Sequence, residues 1–187
     1  MSTALKEWSL VCDLLISGHQ IALIRKGGIH EPHRSAFTLE HDSFLLYPNA
    51  EHQSASLVHP RLHNQLHIVT PRNDGEVVVP GWCHVTDILP LTDPARAHAL
   101  THHTCWTDAF FAQRLAYKPE RPLLLLLTRA YRFSTPLRLP YHKLYAGCRS
   151  WVPLRDTVNT VTLETALPAL GDTAYEAQRQ AILSAIA

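Results

Sequence analysis

The chain is 187 residues long and 46% hydrophobic, enough for one well-buried core, and a single domain over residues 1–187 is expected. Lys and Arg number 17 against 16 Asp and Glu, a formal charge of +1, which excludes the bulk basicity of a nonspecific nucleic-acid coat and requires any anion site to be local. The longest apolar run, "PLLLLLT", is far shorter than the roughly 20 residues that cross a bilayer, so no membrane partner is expected. Cys12, Cys83, Cys105 and Cys148 lie far apart, with no CxxC pair and no secretory leader, which points to reduced thiols and a cytoplasmic location.

Over residues 4–17, Leu5, Trp8, Cys12 and Leu15 recur at spacings of three and four, which predicts an amphipathic helix stopped by Gly18. "HQIALIRKGG" predicts a strand closed by a Gly-Gly turn with Arg25 and Lys26 at its mouth, "HEPHRSAFTLEHD" a loop, and "SFLLYPN" a short buried strand. "EVVVPGWCHVTDILPL" reads as strand, Pro-Gly turn, strand. Asp93 and Pro94 then start a helix as N-cap and first residue, and "TDAFFAQRLAY" adds a second helix with Phe110, Phe111 and Leu115 on one side.

"LLLLLTRAYRF" is the strongest strand signal, a leucine run passing into alternation, and "STPLRLPYHKLYAGCRSWVPL" follows as loop and short strand. A closing helix over about 172–186 has Asp172 as its N-cap. Strands this close together do not fit regular βαβ units. The expected fold is α+β, a small curved or barrel-like mixed sheet with flanking helices.

Thirteen histidines invite metal readings. His59, His63 and His67 share a helical spacing, and His98, His102 and His103 lie near Cys105. The first stretch holds no carboxylate or cysteine and the second lacks a fourth ligand, so no metal and no cofactor are expected. Glu51-His52-Gln53 follows a buried strand, where His52 can serve as a general base or simply satisfy a turn. Cys148 is either a nucleophile or a thiol packed beside a buried Trp151. Gly147 is expected where the backbone passes close to the core or a ligand, aiming Arg149 and Ser150 outward. Arg25, Lys26, Arg114, Arg129, Arg132 and Arg149 fall at strand ends or beside aromatics, a mixture that suits phosphate contacts with base stacking, or a salt-bridged solvated rim.

In this order, "ALKEW", "LIRKGGI", "FLLYPNAEHQ", "LLTRAYRF" and "YAGCRSW" resemble the bacterial DUF1802 family across residues 4–154. That resemblance implies a link to restriction-type endonuclease domains, hence nucleic acid and a nuclease partner. "ISGHQIALIR", "FLLYP", "WCHVTDILPL" and "LLLLLTRAYRFSTPLRLP" resemble the barrel-like PUA, ASCH and EVE superfamily, which implies binding of RNA or modified bases. Gly18 and Arg25 agree with the ASCH signature, whereas its lysine and glutamate are Gln20 and Leu23 here.

The function expected first is therefore a nucleic-acid or nucleotide-binding module whose mouth carries Arg25, Lys26, His52, Gln53, Arg132, Arg149 and Ser150, reading a nucleotide or a modified base in a restriction or defence setting. The alternatives are a nucleic-acid-processing enzyme using His52 and Cys148, and a protein-interaction subunit.

Overall fold

Side chains alternate between two apolar clusters along the first strand, and this period of two wins over the helical spacing. In the computed structural model, which describes residues 1–26, 39, 41–66, 75–147, 149–155 and 158–187, β1 is Thr3–Trp8 and only α1, Ser9–Ile16, is helical. Leu5 points into one cluster with Phe44 and Leu126, while Ala4 points into the other with Leu45 and Val152. The predicted helix over residues 4–17 is thus corrected in its first half. Pairing decides this: β1 lies parallel to β3 (Ser43–Asn49) and antiparallel to β6 (Trp151–Pro153), so its backbone groups are satisfied on both edges.

Gly18 ends α1 as expected. Its φ is +74°, and the N–H groups of Gly18 and His19 donate to the carbonyls of Leu15 and Leu14 at 3.1 and 2.9 Å, a Schellman closure. β2, Ala22–Arg25, follows. The predicted Gly-Gly turn and most of the predicted loop lie outside the described residues.

The Pro80-Gly81 pair is not a turn. β4 runs unbroken from Glu76 to Leu91 and pairs along its length with β5, Leu123–Pro140, which also absorbs the predicted loop "STPLRLP". The register slips between Val79 and Gly81, so residues 133–136 of β5 face only Pro80, whose missing N–H is tolerated in a bulge. At Gly81 a Cβ atom would lie 2.1 Å from the Tyr131 carbonyl oxygen, so only glycine fits there.

The strand order is β2-β5-β4-β3-β1-β6, with β7 (Leu167–Pro168) on β5, a mixed sheet of seven strands. β2 and β1 stand four places apart in that order, yet Arg25 of β2 touches Glu7 of β1 at 2.9 Å. The sheet is therefore strongly curled. Helices α2 (Pro94–Ala99), α3 (Asp108–Ala116), α4 (Thr160–Glu164) and α5 (Asp172–Ala185) flank it. Asp93 caps α2 by accepting from the Ala95 N–H at 2.8 Å, as expected. Asp172 is instead the first residue of α5, behind an N-cap at Gly171, and bonds Arg129. Among the described residues, no helix is long and apolar enough to cross a membrane.

Candidate functional site

The curl gathers some of the expected mouth residues around the end of β1. Glu7, 9% exposed, accepts from Arg25 through one carboxylate oxygen and from the Trp8 N–H through the other at 2.7 Å. Ser9 donates to Gln53 Oε1 at 3.2 Å, and the Lys6 N–H donates to the Ser150 carbonyl at 2.8 Å. Lys26 is only 5% exposed and donates from Nζ to the Leu115 carbonyl at 3.1 Å, near the C-terminal end of α3 where a cation is favoured. Arg25 and Lys26 thus hold the fold together. Glu7, which the sequence reading did not single out, is the acceptor that organises this seam.

The remaining candidates are dispersed. Arg132 is exposed on β5, beside Gly81 of β4 and Leu167 of β7, away from β1 in the strand order. His52 is exposed with φ +64°, a left-handed position that histidine tolerates better than most residues. Arg149 is exposed, and its N–H donates to the Gly147 carbonyl at 2.9 Å. Cys148 lies outside the described residues, so no His52–Cys148 pair is placed. Trp151 is buried as expected, edge-on to Phe44. The close approach expected at Gly147 is corrected: among the described residues beyond its chain neighbours, nothing lies within 4 Å of a Cβ built there, and the glycine answers instead to its φ of +86°. Lys6 Nζ holds this corner by donating to the Tyr145 and Gly147 carbonyls at 2.6 and 2.9 Å.

A cavity of about 310 Å³ opens beside the end of α1. It draws its walls from four separated segments: His19 and Gln20 after the Schellman turn, Arg61, Leu62 and Gln65 of a 3-10 turn (Pro60–Gln65), the stretch 102–105, and Gln178, Ala181 and Ile182 of α5. Among the described residues, no aspartate or glutamate lines it. Part of its polar wall is already engaged. Buried Gln20 donates to the Ala22 carbonyl and accepts from the Cys105 N–H, both at 2.7 Å, Thr104 Oγ1 donates to Leu100 O at 2.8 Å, and Gln178 donates to Gly18 O at 3.1 Å.

Arg61 and His102 are exposed at this cavity, and among the described residues no hydrogen bond or ion pair engages the side chains of Arg61, Gln65, His102 or His103. Burial first, and the neighbouring His102 second, hold the His103 imidazole below its ordinary pKa. The Cys105 thiol is pushed far up by burial, with the Glu7 charge adding to it, which makes it an inert wall and not a nucleophile. Among the described residues, the site offers one fixed cation, three imidazoles and amides, with no competing anion. Arg61, Gln65, His19 and Gln178 went unremarked in the sequence reading, because they come together from distant segments and share no motif.

The other histidine groupings dissolve into structural contacts. The "HPRLH" stretch is a 3-10 turn, in which His59 Nε2 lies 2.9 Å from the Thr101 carbonyl and His63 Nε2 lies 3.0 Å from that of Val58, while His67 is outside the described residues. His98 pairs with Asp108 at 2.8 Å. Among the described residues, no group of three or more His, Cys, Asp or Glu side chains is placed to hold a metal ion.

The family described as a domain of unknown function, DUF1802, matches residues 4–181. The chain belongs to the DUF1802 family. Among solved structures, the DUF1802 chain is similar to ASCH from Zymomonas mobilis, with a TM-score of 0.45 and 11% identity over 82% of this chain and 87% of that one. A tyrosine-to-phenylalanine mutant of the same protein gives 0.43 and 12% over 82% and 89%. A comparison with curated proteins finds no match.

Proposed function

We propose that this DUF1802 chain is a nucleotide- or nucleic-acid-binding module whose ligand seat is the cavity beside α1. The observation that carries this reading is a wall that holds Arg61 and three histidines and, among the described residues, no carboxylate. In a chain with a net charge of only +1, such a local excess of cationic and donor groups favours an anionic ligand, and a guanidinium suits a phosphate. Outside the cavity, Arg149 and Arg132 are further exposed cations for a longer strand, with Ser150 next to the first of them in the chain. Reading of a modified base and partnership with a nuclease are the finer form of this proposal. Salt titration tests it. Fluorescence polarisation with short labelled DNA and RNA should give affinity that falls as salt rises, because phosphate contacts release counterions. Absence of binding to any of them and to free nucleotides at low salt overturns the reading.

A further inference from the structure

We propose that the cavity is a seat for a phosphate monoester, the terminal phosphate of a mononucleotide or of a 5′-phosphorylated strand, and not for an internal phosphodiester. This rests on the nucleotide-binding reading above. Four segments wall the cavity, and its volume of about 310 Å³ lies at the lower end of small-ligand sites. A terminal group enters such a recess once. An internal diester has to bring its chain in and lead it out again.

Charge points the same way. A diester carries one negative charge, whereas a monoester carries about −1.5 to −2 near neutrality, with a second ionisation near pH 6. A guanidinium with imidazole N–H groups beside it offers more to a dianion than to a monoanion. The titratable groups on the wall are His19 from the α1 end, Arg61 from the 3-10 turn, and His102, His103 and Cys105 from the stretch after α2, with none from α5. The uncommitted ones, Arg61, His102 and His103 with Gln65, are donors suited to a dianion. Among the described residues, no Phe, Tyr or Trp lines the cavity, so base stacking is not what they offer, and recognition falls on the phosphate.

The test compares AMP with adenosine, and one short oligonucleotide in 5′-phosphorylated and 5′-hydroxyl forms, on wild-type protein and Arg61→Ala, by calorimetry near pH 6.5. AMP and the phosphorylated strand should bind about ten- to hundredfold more tightly than their phosphate-free counterparts, and Arg61→Ala should abolish most of that difference. Tighter binding of AMP alone assigns the seat to free nucleotide, and of both phosphorylated probes to strand ends as well. Equal binding within both pairs of probes, or a preference that survives Arg61→Ala, overturns the monoester seat while leaving nucleic-acid binding standing. If none of the four probes binds, the nucleotide reading itself fails. Thermal melting checks folding, and Arg61→Gln repeats the comparison with a smaller change of shape.

Discussion

The β1–β2 seam and the cavity beside α1 are both rich in cations and amides, yet they use them in opposite ways. At the seam, Arg25 meets Glu7, Lys26 meets the Leu115 carbonyl and Ser9 meets Gln53. In the cavity, Arg61 and His102 face an opening whose wall, among the described residues, holds no carboxylate. A cation at a strand end is therefore poor evidence of a ligand. What distinguishes a binding group is the absence of an internal counterpart, which the strand pattern around it does not reveal.

The largest effect that sharpens this contrast is at the seam. Arg25→Ala takes the hydrogen-bonded cation from the Glu7 carboxylate, 9% exposed, leaving it the Trp8 N–H and the charge of Arg114, and should cost about 3 kcal/mol in denaturant unfolding, the lower end for breaking a buried pair. A loss below about 1 kcal/mol, typical of exposed pairs, would break the distinction. Gln20→Met comes next, because Gln20 belongs to the cavity wall yet is engaged like a seam residue. It leaves the Cys105 N–H without its acceptor and should cost about 1–3 kcal/mol.

A smaller effect concerns pH. His103 has a lowered pKa in the folded chain, so on acidification below its ordinary 6.5 the unfolded chain takes up the proton first, and stability falls as pH falls. His103→Gln should flatten this decline in melting temperature over about pH 5–7, centred on the ordinary histidine range. An unchanged slope would assign it to other groups. The smallest expected effect is Arg61→Ala, which removes an exposed, uncommitted side chain and should change stability by no more than about 0.5 kcal/mol. A larger loss on urea unfolding would place Arg61 among the fold's own cations.

Local chemistry made parts of this fold legible. The Asp93-Pro94 cap, the Gly18 stop and the "SFLLYPN" strand each rest on a few adjacent residues whose preferences the tertiary structure does not oppose. Residues 4–8 failed the helical reading because Leu5 and Trp8 fit either period, and only the partners β3 and β6, distant in sequence, choose between them. Pro80 and Pro136 misled for a related reason. Each looks like a breaker, but both lie at the β4–β5 bulge, where the ladder has no bond for them to interrupt. The cavity was least legible of all. His102 and His103 drew notice as metal ligands, whereas the groups that give them another meaning sit some forty residues before and seventy after them in the chain.

The last wall of the cavity has a temporal consequence. Gln178 of α5 grips the carbonyl of Gly18, and Arg179 beside it clasps Asp87 through both carboxylate oxygens at 2.8 and 2.6 Å. A ribosome releases residues 19 to 105 first, and at roughly 5–20 residues per second the nascent chain waits several seconds before α5 follows. During that interval Arg61 and the histidines exist without an enclosure. A chain cut short before α5 would carry most of the same donors and no enclosure for them, so the cavity would wait on the arrival of α5.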